Sequence, residues 1–459
     1  MPKSNGRSIK KTRKIYLDYA SSALSQTANP GAIHELGVKE KNKLESARAT
    51  VAKILNAQNA EIIFTSGATE SNNLAILGLV YAGQEQGFLR SSVLRVPSPA
   101  RPFKNLALVP HIVTTNIEHA SVLETCKHLE KMKQAEVTYV PVEENGIVDV
   151  KKIKKALKLN TVLVSVMYAN NEIGTIQPIR EIAKEIRHWR KTHLTRFQHP
   201  LLGKERVGVR FPFFHTDATQ AVNYLPISVP QLGVDLMSMN SAKIYGPKGI
   251  GALYVKKNTP IGKIMFGGDQ EFGLRPGTEN VALAVEFAKT LQTVEKIKEQ
   301  EVKRLAKLRD YFFEKILENT KNFAIAESLV NFEIILNGDQ KNRLPNNVNI
   351  TIPNIPSDLL VIELSAKGIM ASAKSACKSG DGKASHVIEA IRHGAKPARN
   401  ASGIADARPH DSQQRVGQAG GEEDGSLRFS LGRETTKSDI DYTVKALSEI
   451  LAKLKKWYD

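Results

Sequence analysis

Residues 234–255, Val-Asp-Leu-Met-Ser-Met-Asn-Ser-Ala-Lys-Ile-Tyr-Gly-Pro-Lys-Gly-Ile-Gly-Ala-Leu-Tyr-Val, set one lysine between two apolar runs. Val234–Met239 and Ala252–Val255 each read as a strand. Lys243 follows the first of them, and Gly246, Gly249 and Gly251 let the backbone turn tightly. A lysine at a strand end beside such a turn is placed to form a Schiff base with an aldehyde cofactor. Most lysines beside glycine turns are solvated surface residues, so the reading of Lys243 depends on what the rest of the chain supplies.

Outward from this stretch, short apolar runs alternate with helical patterns. Strands are expected at Glu61–Thr65, His111–Thr115, Glu136–Val140, Thr161–Tyr168 and Phe213–Asp217, with helices at Ser121–Met132 and Ile179–Arg190 between them. Such alternation implies an α/β fold, whose mostly parallel seven-stranded sheet is flanked by helices. Its sites belong at the carboxyl ends of the strands. After Gly268 the pattern changes to a long helix over Glu279–Asn319, strands at Asn347–Ile352, Ile369–Ala373 and Leu427–Leu431, and a helix over Ser357–Lys367. Ser438–Lys456 reads as an amphipathic helix with Ile440, Val444, Leu447, Leu451 and Leu454 on one side. The expected division is a basic tail over 1–14, a large cofactor-binding domain over 15–268, and a smaller α+β domain over 269–459. Residues 88–105, 195–209 and 393–425 read as insertions. The last carries almost no large apolar residues and is expected to be disordered.

The 459 residues carry a formal charge of +18, spread along the chain without aromatic-interleaved basic motifs. Direct nucleic-acid recognition is therefore not expected, whereas an acidic protein partner is consistent. No apolar run approaches the ~20 residues of a membrane span, and residues 1–14 lack the apolar core of a secretory signal. Two cysteines, Cys126 and Cys377, argue against a disulfide scaffold and suit a reducing, cytoplasmic setting. Cys126 falls in a helical pattern and reads as structural. Cys377 lies among small and polar residues on an expected mobile loop, where Lys374 and Lys378 would favour its thiolate.

Several further segments could serve an aldehyde cofactor. Thr65-Ser66-Gly67-Ala68-Thr69-Glu70 follows a strand and opens a helix, a cradle suited to phosphate but, taken alone, more often an ordinary helix cap. His119, after the second strand, could stack on a pyridine ring or move protons; alone it is more often a structural histidine. Asp217 at another strand end could pair with a pyridine nitrogen or cap a helix. Asn170-Asn171-Glu172-Ile173-Gly174 could bind a carboxylate or simply turn. Arg428 offers a guanidinium fork that matches a carboxylate.

Together these blocks resemble the cysteine desulfurases, fold-type I pyridoxal-phosphate enzymes of the class V aminotransferase superfamily. Tyr16–Ala20, Thr65–Asn73, Asn170–Gly174, Asp217–Gln220, Lys243–Gly249, Ser375–Cys377 and Arg428–Arg433 occur in that family's order and approximate spacing. The resemblance implies conversion of L-cysteine to L-alanine, with the sulfur passed as a persulfide on Cys377 to iron–sulfur assembly or tRNA thiolation. It assigns Lys243 to the pyridoxal 5'-phosphate aldehyde. Thr69 goes to the phosphate, with Ala68, Asn240 and Ser241 beside it. His119 takes the ring face, Asp217 the ring nitrogen and Gln220 the ring hydroxyl. Asn171 and Arg428 take the substrate carboxylate. Thr278, in Arg275-Pro276-Gly277-Thr278, matches a residue that reaches the other subunit's phosphate, implying a homodimer. An iron–sulfur scaffold or another sulfur acceptor is the implied protein partner, and a transient iron–sulfur ligand shared with that scaffold is the one metal role considered for Cys377.

The chain departs from the family at Asn240, Ser241 and Ala242, where Ser-(Gly/Ala)-His is usual and two side chains hold phosphate. Weaker cofactor retention is expected. The stretch from Ala20 to Pro30 is shorter than the family's by about a helix, and the 393–425 insertion separates Cys377 from Arg428. Two other readings stay open: a selenocysteine lyase or other class V enzyme, and a non-catalytic homologue that binds partners in sulfur delivery.

Overall fold

The computed structural model describes residues 28–85, 109–194, 211–325, 334–373, 385–392 and 425–458. Tyr16–Ala20, the tail over 1–14, the insertions 88–105 and 195–209, Cys377, and all of 393–425 but its last residue lie outside them.

Seven strands form the large sheet: β1 (Ile62–Thr65), β2 (His111–Thr115), β3 (Glu136–Val140), β4 (Thr161–Ser165), β5 (Phe213–Asp217), β6 (Leu236–Asn240) and β7 (Gly251–Val255). Their order is β1-β7-β6-β5-β4-β2-β3. Pairings from β3 through β6 are parallel, and β7 runs antiparallel to both neighbours. The mostly parallel sheet expected from the alternating pattern is what forms.

Seven helices surround or extend from it: α1 (Glu35–Leu55), α2 (Ala68–Glu85), α3 (Ala120–Lys131), α4 (Val150–Ala156), α5 (Ile179–Leu194), α6 (Val229–Leu232) and α7 (Val281–Ile325). Consecutive strand residues point to opposite faces, and here both faces are covered. Ile63, Ile112, Leu163, Phe213 and Leu236 join Leu74 and Leu79 of α2 and Val122 and Leu129 of α3 in one core. Their neighbours Ile62, Val113, Val164, Phe214 and Met237 enter a second core with α1, α5 and α7. This is why the strands read as continuous apolar runs instead of alternating ones.

The smaller sheet has the antiparallel order β10-β9-β8, from β8 (Ile335–Leu336), β9 (Asn347–Thr351) and β10 (Ser426–Ser430). Three more helices accompany it: α8 (Ser357–Ala366), α9 (His386–Arg392) and α10 (Lys437–Tyr458). Phe312 of α7 packs on Phe429 of β10 with ring centroids 5.1 Å apart. Ile440, Val444, Leu447, Leu451 and Leu454 of α10 are all buried, as their spacing requires. One expected strand, Ile369–Ala373, does not form. Gly368 turns the chain out of α8 with φ +79°, Met370 is left exposed, and Ser372 alone pairs, with Arg428. Helix α9 and the two-residue β8 carried too little pattern to be read. Among the described residues no helix is long and apolar enough to cross a membrane.

One buried ion pair fastens α1 to the sheet. Arg48 donates from Nη1 and Nη2 to the two oxygens of Glu271, both at 2.7 Å, and from Nη1 to the carbonyl of Ile62 at 2.7 Å. The Phe64 amide donates to the same Glu271 carboxylate at 2.8 Å. The guanidinium lies 5.0 Å from the Phe64 ring and 5.2 Å from that of Phe272. Glu271 and Phe272 both hold left-handed backbone, φ 47° and 59°, which non-glycine residues rarely adopt. Removing one partner of such a pair strands a buried charge. Arg48→Met should therefore destabilise the fold by about 3–5 kcal/mol in urea unfolding. Arg48→Met with Glu271→Leu should recover part of that loss.

Candidate cofactor and substrate site

β1 is antiparallel to β7, and β7 to β6, so β1 points the same way as β2, β4, β5 and β6. The carboxyl ends of these five strands share one edge of the sheet, and the segments leaving them carry the residues singled out in the sequence.

From β1 the chain enters α2 through Ser66, Gly67 and Ala68. The first amides of a helix have no intrahelical acceptor, so those of Ala68, Thr69 and Glu70 are available to an anion, beside the exposed Thr69 hydroxyl. Gly251 of β7 packs on this turn: a Cβ there would stand 2.7 Å from the Gly67 Cα and 2.5 Å from the Met239 carbonyl oxygen. Asn240, at the end of β6, accepts the Ala242 amide on Oδ1 at 3.1 Å, while its Nδ2 lies toward Gly67. The buried Ser241 hydroxyl has no hydrogen-bond partner among the described residues. Glu70, the one acid at the cradle, is turned aside. It accepts the Ser66 amide at 2.6 Å and Arg275 at 3.1 Å. Lys243 closes the 3-10 turn Ser241–Lys243 and is exposed at the same edge.

Asp217 ends β5, nearly buried, and both its oxygens are served. Oδ1 accepts the Thr219 amide at 2.9 Å and Oδ2 accepts Asn72 Nδ2 at 2.7 Å. Asn72 donates its other amide hydrogen to Ser121 Oγ at 2.8 Å. His119 is the N-cap of α3, and its Nδ1 accepts the Ser121 amide at 3.1 Å, with Ser121 Oγ at 2.8 Å. With Nδ1 an acceptor, the proton of the neutral ring belongs on Nε2. A chain of bonds thus runs from His119 through Ser121 and Asn72 to Asp217. Sequence reading missed Asn72; its place in the Thr65–Asn73 block was the only signal. Gln220 is half-buried one turn beyond Asp217.

Burial pushes His215, beneath Asp217 on β5, down to about 4; it is held neutral between the hydroxyls of Ser165 and Ser238, each at 2.9 Å.

At the other side Arg428 Nη1 donates to the Asn171 carbonyl at 3.0 Å, which brings the two expected carboxylate ligands together. Asn170 ties this turn to the His119 loop by donating to the Ile117 carbonyl at 3.0 Å. Asn347 and Asn349 of β9 both donate to the Glu172 carbonyl, at 2.9 and 3.1 Å. Gly174 must be glycine: its φ is +72°, and a Cβ would meet Asn347 at 2.6 Å. Thr278 lies three residues after Arg275, which donates to Glu70 at the cradle. It lies exposed on the segment that follows the Gln270–Gly273 turn. Among the described residues no cluster of His, Cys, Asp or Glu is arranged to hold a metal ion.

The family model for class-V aminotransferases matches residues 5–89, 103–195 and 210–443. The chain belongs to the class-V aminotransferases. Within that family it is 35% identical to cysteine desulfurase IscS of Dictyoglomus turgidum, with 96% of each chain covered. It is 36% identical to that of Methanosarcina thermophila, over 93% of this chain and 86% of the other. A solved NifS-like protein superimposes with a TM-score of 0.70 at 29% identity, covering 93% and 92% of the two chains. Class-V aminotransferases of this kind imply pyridoxal phosphate. The residues present fit it: free helix-start amides and an amide side chain for phosphate, a carboxylate for the ring nitrogen, and an exposed amine for the aldehyde.

Cys126 is buried, and burial raises its thiol well above the usual range, so it is structural as expected. The ends of the described chain on either side of Cys377 are both fastened. Ser426 Oγ donates to the Ala373 carbonyl at 3.2 Å. Ser385 Oγ donates to Glu172 at 2.5 Å, and His386 Nε2 bonds the Glu118 carbonyl at 3.1 Å.

A histidine lowered on folding binds its proton less readily than in the unfolded chain, so its contribution is complete above pH 6.5 and lost as pH falls toward 4. Between pH 7 and 4.5, His215 should remove about 2 kcal/mol of stability. In His215→Gln that part of the pH dependence should vanish from urea unfolding measured at the two pH values.

Proposed function

We propose that this chain is a homodimeric pyridoxal-phosphate enzyme that converts L-cysteine to L-alanine and retains the sulfur as a persulfide on Cys377. The observation that carries this reading is the joined array at one sheet edge. Lys243, Asp217, His119 and Asn171 end or follow strands that finish at the edge where α2 begins, with Asn72 of α2 bonded to Asp217 and Arg428 to Asn171.

Bound there, pyridoxal phosphate supplies an aldehyde for the substrate amine and an electron-poor ring that draws charge from the attached carbons. The chain's own groups do the rest. The amides of Ala68 and Thr69, the Thr69 hydroxyl and Asn240 Nδ2 hold phosphate, with Ser241 beside them. Asp217, fixed by Thr219 and Asn72, keeps a proton on the ring nitrogen. His119, fixed through Nδ1, presents its ring face, and Gln220 reaches the ring hydroxyl. Arg428 and Asn171 orient the substrate carboxylate. Lys243 Nζ would hold the aldehyde and move protons at the substrate carbons. The Cys377 thiolate forms an S–S bond with the substrate sulfur as the carbon–sulfur bond breaks. The carbon keeps that electron pair and takes a proton, giving alanine.

Thr278 serves the phosphate of a second copy in this reading. Met265, Phe266 and Phe272, exposed beside that segment, are the apolar surface a partner subunit would cover; Phe266 is 85% exposed. An iron–sulfur scaffold protein in the cytoplasm is the proposed acceptor, with Cys377 sharing a cluster only in transit. The proposed division stays at residue 268, with 15–268 holding the cofactor and 269–459 carrying Cys377.

Cysteine added to the yellow protein should yield alanine and, with a thiol reductant, sulfide. Lys243→Ala should lose both products, whereas Cys377→Ala should lose sulfide release and keep the visible absorbance. Full sulfide release by Cys377→Ala would reject Cys377 as nucleophile. Selenocysteine turned over with cysteine inert would move the substrate instead. Pyridoxal phosphate should leave the native protein on dialysis faster than it leaves the double variant Asn240→Ser, Ala242→His. Equal retention would show that Asn240 and Ser241 suffice.

A further inference from the structure

Glu118 is the one fully buried carboxyl at the site that the mechanism leaves unused. It stands between β2 and the His119 cap of α3. Its Oε1 takes two donors, Thr115 Oγ1 at 2.7 Å and the Met167 amide at 2.9 Å. Its Oε2 is buried and has no partner among the described residues. Its backbone is held as well, because its carbonyl accepts from His386 at 3.1 Å. These bonds join the end of β2, the segment after β4 and the start of α9 around the residue that precedes His119.

Among the described residues, no cation contributes to the electrostatics of the Glu118 carboxyl. Asp217 approaches from β5 and Cys126 from α3; His386 of α9 bonds its main-chain carbonyl, and His119 follows it in sequence. An anion with one bare oxygen and no counter-charge is costly in such a place. Burial foremost, with Asp217 adding to it, pushes Glu118 up to about 8. Asp217, by contrast, has both of its oxygens served by donors.

We propose that Glu118 is a positioning residue that works as a neutral acid. It anchors the loop that presents His119, and it leaves Asp217 as the only anion beneath the ring nitrogen. The inference rests on pyridoxal phosphate binding at this edge. Glutamine can accept the Thr115 and Met167 hydrogens as the neutral acid does, but it cannot ionise, so it separates the two halves of the role.

The test is a pH titration from 6.5 to 9.5 of the visible absorbance and circular dichroism of the bound pyridoxal phosphate, in the wild-type holoenzyme, Glu118→Gln and Glu118→Ala. In the wild type a spectral change is expected around pH 8, as Glu118 ionises beside the ring. Glu118→Gln should keep the low-pH wild-type spectrum throughout and lose that change. Glu118→Ala should lose dichroic intensity at every pH, because the His119 loop loses its anchor. The proposal is overturned if Glu118→Gln titrates like the wild type, or if Glu118→Ala keeps the wild-type dichroism. Absence of any visible band in wild-type protein supplied with pyridoxal phosphate would instead overturn the cofactor reading itself.

Discussion

A sheet buried on both faces can offer polar chemistry only at its ends. That constraint organises this molecule. Ile112 and Val113, Leu163 and Val164, Phe213 and Phe214, and Leu236 and Met237 each send one side chain into each core. No strand residue in these pairs is left for solvent. The first polar side chains after each strand are therefore crowded onto one edge. Asp217, His119, Asn171 and Lys243 meet there because their strands run in the same direction, not because they are close in sequence.

Crowding alone would not hold the groups still. Polar cross-links between loops do so. Asn72 spends its two amide hydrogens on the Asp217 side and the His119 side, and Asn170 ties the His119 loop to the turn that carries Asn171. The asparagines of β9 then fix that turn to the smaller sheet. The substrate edge is thus shared by both sheets, and Arg428 reaches it from a strand paired with β9. Hydrogen bonds at such buried positions are stronger than in water and stiffen the loops they join.

What could be read from the sequence follows the same physics. A strand covered on both sides shows itself as an apolar run, and the polar residue that ends the run shows itself as a candidate, so Lys243, Asp217 and His119 stood out. Asn72 did not, since its partner Asp217 is 145 positions away and asparagine in a helix has no signature of its own. Arg48 was equally silent, its partner lying 223 positions on. The Ile369–Ala373 run shows the opposite error. Apolar residues there suggested a strand, but the turn at Gly368 leaves Met370 in solvent and permits one bridge. Helix α9, only seven residues long, offers too few turns for a helical period to declare itself.

The two fastenings on either side of Cys377 set a leash. Ala373 is held at the edge of β10 by Ser426, and Cys377 lies four positions beyond it. Even fully extended, four residues span no more than about 14 Å. That length is an upper bound on how far the Cys377 backbone can stand from Ala373. Any sulfur transfer proposed for Cys377 is bounded by that length and by the point where Ala373 is tied.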